Sequence, residues 1–391
     1  MATRTRGPAH RILLATPPDR DRAVDALRAF AVLGVVLGHW LVTALVAEGG
    51  ALRGTSPLAY LPGLAPASWA FQTLAVFFLV GGLVGVKGHA SARARGATYG
   101  QWLGARLKRL FRPVAALLAV WAAVAGALLA SGVAPGTVHT LAGLVCSPLW
   151  FLLVFAALTA AAPLAAKVRP WWPLTVVALV DLVRFGLSGP AWLGWANVAA
   201  GWLVPYCLGA AWAQGRLQSR RTGRALLAGG ALAAALLVVF AGYPASMVGV
   251  PGAEVSNLSP PTLAAVAFGL AQCGAALLLL GPLRRVLRRP GAWAAVAVVN
   301  LSAMTVFLWH QTAMMAVTMA GLLAGPPLPG LHTLPGSPLW VLARLAWIPV
   351  FAVALLVCWA LFRRFEHGRP RGRSRVVREH RPAPAAAVRH P

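Results

Sequence analysis

Residues 20–40, RDRAVDALRAFAVLGVVLGHW, open the first long apolar stretch and carry two ionisable side chains into it, Arg28 and His39. An α-helix turns about 100° and rises about 1.5 Å per residue, so His39 returns to within about 20° of Arg28, about 16 Å further along. The two side chains therefore share one helix face. A guanidinium near one membrane surface and an imidazole near the bilayer centre are both costly to place, and such intramembrane groups are functional candidates by default.

The same apolar character extends through the chain. Of 391 residues, 59% are hydrophobic and 11% charged, and the mean hydropathy is +0.72. Windows of about 20 apolar residues, each long enough to cross a bilayer, predict spans at 23–46, 68–86, 113–132, 149–166, 171–187, 191–213, 225–243, 262–282, 294–322 and 339–362. Lipid offers no partner for backbone N–H and C=O groups, so these segments read as helices. The expected fold is an all-α polytopic membrane protein of about ten transmembrane helices. A basic segment, 1–22, precedes the membrane domain, 23–362, and an Arg- and Pro-rich tail, 363–391, expected to be disordered, follows it. The ninth span is longer than a bilayer requires, which predicts a tilt or a break near Asn300.

A net charge of +27 raises the question of nucleic acid. The position of the charge answers it. All but four of the 35 Lys and Arg residues fall in the N-terminal segment, the even connections or the tail, the exceptions being Arg28, Arg53, Arg184 and Arg344. That segregation assigns both termini to the cytoplasm under the positive-inside rule, and it reads as topology and attraction to anionic lipids rather than nucleic-acid binding. The first apolar stretch exceeds a signal-peptide core and lacks a small-residue cleavage site, so it is expected to be retained. Cys146, Cys207, Cys273 and Cys358 show no close spacing, and no disulfide framework or metal site is expected. The sequence contains no Walker A, GxGxxG, HExxH or CxxC pattern.

Further landmarks follow Arg28 and His39 in order: Asp25 three residues before Arg28; FFLVGGL at 77–83; Arg106 and Arg109 in ARLKRLFRP, ending at Pro113; Trp150-Phe151-Leu152; and SAMTVFLWH from Ser302 to His310. This ordered set resembles acyltransferase family 3 membrane proteins, whose first helix carries Arg-x10-His. The chain departs from the family pattern in two places. Gly81 stands where the family usually has serine, and Val154 and Phe155 follow the Trp-Phe-Leu site where some relatives carry a glutamate.

The resemblance implies an integral membrane O-acyltransferase moving an acyl group, commonly acetyl, from cytoplasmic acyl-CoA to a hydroxyl of an extracytoplasmic carbohydrate, glycolipid or glycosylated metabolite at the plasma membrane. On that reading acyl-CoA is a donor substrate, and no permanently bound cofactor or metal is expected. Guanidinium groups bind phosphate bidentately, so Arg28, Arg106, Lys108, Arg109 and Arg112 are donor-side candidates. His39 is the candidate general base for the acceptor hydroxyl.

Plainer readings stand beside these. Arg28 also fits an anchor at the membrane interface, and His39 an interhelical hydrogen bond. Residues 99–112 place Leu103, Leu107, Leu110 and Phe111 at helical spacing among cations, the pattern of an interfacial helix. Asp181 and Arg184, one turn apart, read either as a local ion pair or as part of an outward vestibule for the acceptor. His310, roughly 24 Å along its span, and Arg344, near the outer end of the last span, are acceptor-side candidates that packing also explains. Phe77, Phe78, Trp150 and Phe151 read as packing aromatics. Residues 243–261 are expected to form an ordered cap or a mobile lid, and Asn257 heads an N-x-S sequon. A transporter or flippase of envelope precursors satisfies the same helices and charges, as does a scaffold that has lost catalysis at Gly81.

Overall fold

In the computed structural model, residues 7–49 and 51–366 are described. A short helix, α1 (Pro8–Leu14), precedes α2 (Arg22–Val42), and a hairpin of β1 (Ala44–Glu48) and β2 (Ala51–Thr55) follows. After three short helical turns between Pro57 and Phe71 come α3 (Leu74–Ala94), α4 (Tyr99–Ala130), α5 (Pro135–Cys146), α6 (Leu149–Ala160), α7 (Trp171–Asp181), α8 (Ala196–Ala213), α9 (Arg220–Phe240), α10 (Leu263–Val286), α11 (Pro290–Leu301), α12 (Ala303–Leu322) and α13 (Pro338–Glu366).

Seven helical segments among the described residues are long and apolar enough to cross a membrane, or eight when the α11–α12 pair is taken as one span. The other two expected spans exist as shorter helices. Residues 171–187 hold the 11-residue α7 and a π turn to Gly186, and 191–213 hold a 3-10 turn and the 18-residue α8.

Local chemistry moves several boundaries. The Asp21 carboxylate accepts the Ala23 N–H at 3.1 Å and starts α2. The helix stops at Val42, short of the expected 46, because the chain enters an antiparallel ladder from Ala44↔Thr55 to Glu48↔Ala51. The hairpin is fastened on both edges: Ala47 N–H donates to His332 O at 3.0 Å, and Leu52 N–H to Thr137 Oγ1 at 3.1 Å. The expected break between an interfacial helix at 99–112 and a span from 113 is absent. Instead α4 runs 32 residues through Pro113 from a Thr98–Gln101 capping box, since one lost backbone bond is tolerable in a membrane helix. The connection expected at 133–148 is largely helical, as α5.

Helices α3 and α8 pack on each other at very short range. A Cβ on Gly82 would lie 2.0 Å from Tyr206 O, and one on Gly209 1.9 Å from Leu79 O. Backbones meet here, as small residues permit in membrane helices.

The α11–α12 pair bends by 72°, next to the predicted break. Asn300 Nδ2 donates to Asp25 O at 2.7 Å and to Val296 O at 3.1 Å, tying the bend to α2. Glu366, the last described residue, accepts the N–H groups of Met304 and Thr305 at 3.1 Å each and the Thr305 hydroxyl at 2.6 Å. The start of α2, the bend and the end of α13 therefore share one end of the bundle. Residues 367–391 of the expected tail lie outside the described residues, and 363–366 continue α13.

Candidate functional site

Two cavities flank α2. The first, of about 570 Å³, lies toward the end holding the start of α2, and its lining includes Arg28, Arg95, Gln101, Arg106 and Arg109. The second, of about 820 Å³, reaches the opposite end of α2 and includes His39, Gln72, Thr73, Trp150 and Gln311. Val35, Leu74, Phe151 and Phe307 line both. These four apolar side chains stand between the arginines and the imidazole.

The shared helix face of Arg28 and His39 thus opens on two compartments rather than one. Arg106 reaches its position by crossing Gly88, where a Cβ would lie 2.1 Å from its Nη2. Its guanidinium donates to Val84 O at 3.2 Å and sits 5.4 Å from the Trp102 ring centre. Lys108 and Arg112 are exposed and lie outside the lining of both cavities. Arg95, whose Nη1 donates to Ser91 Oγ at 2.5 Å, joins the cations that line the first cavity. Sequence reading counted it only as a topological charge, because its approach to Arg106 depends on the turn between α3 and α4.

At the other end, His39 Nδ1 lies 3.1 Å from Gln311 Nε2, and the His39 ring is 5.1 Å from that of His310. His310 is fully buried, its Nδ1 donates to Phe307 O at 2.5 Å, and its Nε2 has no partner among the described residues. It stands behind His39 rather than in the cavity lining. Gln72 and Gln311 are 4% and 1% exposed, and neither Oε1 has a partner among the described residues. Both line the His39 cavity, and both escaped sequence reading for want of charge.

The remaining acceptor-side candidates lie elsewhere. Arg344 is buried and donates to Trp40 O at 2.6 Å, Thr43 O at 2.5 Å and Gly330 O at 2.8 Å. It ties the carbonyls at the end of α2, immediately beyond His39. Trp40 Nε1 in turn donates to His310 O at 2.9 Å, fixing the register of α2 on α12. Asp181 is buried and accepts Leu263 N–H at 2.7 Å, Asn197 Nδ2 at 2.9 Å and the Tyr243 hydroxyl at 3.0 Å, with Arg184 Nη1 at 3.8 Å. Both Asp181 and Arg184 are outside the lining of either cavity. They form the ion pair, and Asp181 caps the start of α10.

The segment 243–261 is an ordered cap on the His39 cavity. Met247 N–H donates to Ser68 Oγ at 2.8 Å and Trp69 Nε1 to Ala245 O at 2.7 Å, while Val248, Pro251 and Leu258 line the cavity. Asn257 is fully buried. Its Nδ2 donates to Pro244 O at 2.6 Å and Ser246 O at 3.0 Å, and its Oδ1 accepts the Thr262 hydroxyl at 2.6 Å. That amide is a structural strut, closed to glycan attachment in the folded protein.

Residues 21–363 match the family model of an acyltransferase domain, that of acyltransferase family 3. The chain belongs to this family. No curated protein and no solved structure gives a significant match. The two departures of this family 3 acyltransferase from the expected pattern pack on each other: a Cβ at Gly81 would lie 2.6 Å from Phe155 Cε2. The Phe155 ring fills the space of a residue 81 side chain and continues a cluster with Phe77 at 5.1 Å and Phe151 at 6.3 Å between ring centres. Gly81 and Phe155 thus form an apolar contact, and neither touches the cations or His39 through it.

Proposed function

We propose that this acyltransferase takes an acyl group, acetyl in the simplest case, from cytoplasmic acyl-CoA and transfers it across the plasma membrane to a hydroxyl of an extracytoplasmic carbohydrate, glycolipid or glycosylated metabolite. The observation that carries this reading is the pair of cavities, cationic on one side and imidazole-bearing on the other, with a common wall of Val35, Leu74, Phe151 and Phe307. Arg28, Arg95, Arg106 and Arg109 supply the charge to hold the phosphates of coenzyme A. The uncharged thioester end is the part of that donor suited to an apolar passage.

His39 takes the proton of the acceptor hydroxyl as its oxygen bonds the thioester carbonyl carbon. The C–S bond then breaks, and the departing thiolate takes a proton back, giving an ester and free coenzyme A. Alignment of two reactants in a site that excludes water is a large part of such catalysis. Anionic lipids fit the exposed Lys108 and Arg112 beside the donor cavity.

Purified protein in liposomes, given acetyl-CoA on the side of the cationic cavity and a sugar acceptor on the other, is expected to release free coenzyme A. His39→Ala is expected to lower that rate by about 10²- to 10⁴-fold, and Arg28→Ala to raise the donor Kd. Full activity of His39→Ala refutes the base assignment. Movement of acceptor across the membrane without thioester consumption establishes the transporter reading instead.

A further inference from the structure

The amide of Gln311 faces the one imidazole that the proposed reaction uses. It is 1% exposed, follows His310 on α12, and holds His39 Nδ1 at 3.1 Å through Nε2. Its Oε1 has no partner among the described residues. The oxygen and nitrogen of an amide are interchangeable by a half-turn about its last torsion, and their identity is assigned from the hydrogen bonds they make.

The two orientations have opposite chemical consequences. With Nε2 toward the ring, the amide donates to Nδ1, the ring hydrogen sits on Nε2, and His39 has no lone pair left for a hydroxyl. With Oε1 toward the ring, the amide accepts from Nδ1–H and Nε2 carries the lone pair. Once His39 has taken a proton, both ring nitrogens are donors. Only the second orientation leaves Nδ1–H with an acceptor.

We propose that Gln311 is the positioning residue that makes His39 a base: its carbonyl oxygen turns to Nδ1–H, fixes the tautomer with Nε2 free toward the cavity, and accepts from the imidazolium during transfer. The role rests on His39 being the base. It matches the orienting partner that catalytic histidines use elsewhere, with a neutral amide in place of a carboxylate. Among the described residues, the titratable or charged side chains brought to this end of α2 are His310 from α12, Arg344 from α13 and Cys146 of α5, which lines the same cavity. His310 already spends its Nδ1–H on Phe307 O, and Arg344 spends its donors on Trp40, Thr43 and Gly330 carbonyls. Cys273 of α10 points to Ala75 O, at 3.9 Å.

The test uses the full chain in nanodiscs, with ¹⁵N-labelled histidine and the His39 signals assigned by difference against His39→Ala. At neutral pH the wild-type ring is expected to show a protonated Nδ1 and a bare Nε2, and Gln311→Met is expected to lose that preference. In liposomes Gln311→Met lowers kcat by about 10- to 100-fold with the KM for acetyl-CoA unchanged. Gln311→Glu keeps an oxygen on Nδ1–H, retains turnover, and moves the acid limb of the kcat profile to higher pH. A wild-type ring protonated on Nε2, or a tautomer unchanged in Gln311→Met, overturns the proposal. So does an acid limb unmoved in Gln311→Glu, which decides the matter even if Gln311→Met fails to fold. Absence of coenzyme A release from the wild type counts against acyl transfer itself, and the nitrogen spectra stand apart from that result.

Discussion

Replacing Arg344 with methionine tests whether a cation without a carboxylate holds the end of α2. The side chain is 1% exposed, and its guanidinium meets three carbonyls, of Trp40, Thr43 and Gly330, at 2.6, 2.5 and 2.8 Å. The rings of Trp340 and Phe351 lie 5.6 and 4.7 Å away. Methionine fills much of the volume and leaves three buried acceptors without donors. Each such group costs about 1–3 kcal/mol, or roughly 3–9 kcal/mol together. Against this, removing an arginine from a helix in lipid recovers about 2.5–3.5 kcal/mol on an insertion scale. The balance is a net loss of about 3 kcal/mol. Unfolding in mixed micelles, followed by tryptophan fluorescence, reads it directly. Arg344→Lys retains the charge as a compact donor that lacks the planar fork, and is expected to recover only part of the loss. An Arg344→Met midpoint equal to wild type refutes the reasoning, because the three carbonyls would then need no donor.

Gly209→Ala drives a methyl to within 1.9 Å of Leu79 O, so α3 and α8 must separate; a loss of about 3 kcal/mol in the same unfolding assay is expected, and unchanged stability would mean that the helices do not pack this closely. Glu366→Ala removes three hydrogen bonds from the start of α12, at a cost of about 1–2 kcal/mol, whereas Glu366→Gln retains most of the stability; equal losses in the two variants would show that acceptance of those N–H groups is not what matters. Burial pushes the Asp21 carboxyl up, but the hydrogen bond from Arg284 at 2.6 Å and the charge behind it outweigh that and hold it below the ordinary value. Its stabilisation is therefore present above about pH 4 and disappears as pH falls through the lowered value. For so exposed a pair it amounts to less than about 1 kcal/mol, so the stability difference between wild type and Asp21→Asn should shrink from pH 6 toward pH 3, and a constant difference would refute the assignment.

How much of this was legible in the sequence depended on whether the determinant was local. The phase of Arg28 and His39 follows from helical spacing, the cations at 106 and 109 from a short local motif, and the break at the α11–α12 junction from the length of one apolar run. The end of α2 at Val42 did not, because Ala44–Glu48 is as apolar as the helix before it and only pairing with Ala51–Thr55 makes it a strand. Pro113 misled for the opposite reason: it is a strong local stop signal that the membrane helix overrides. Arg344 and Asp181 stood out as candidates because charge is visible in sequence, and the ion-pair reading of Asp181 with Arg184 needed only their spacing; the carbonyls and amides that bind the two come from residues far away in the chain. Gln311 was silent for the converse reason, since an uncharged amide in an apolar run acquires meaning only when α12 packs on α2.

The wall of Val35, Leu74, Phe151 and Phe307 has a consequence for the cell as well as for the reaction. A protein open to both faces of an energised membrane risks short-circuiting it. Four side chains without a polar atom give a hydrated ion nothing to exchange for its water, and the idealised cost of stripping that shell is of order 20 kcal/mol. A neutral carbonyl meets a far lower barrier. On the proposed function, the wall that a neutral acyl group would cross is also an electrical insulator, so transfer across the bilayer need not discharge it.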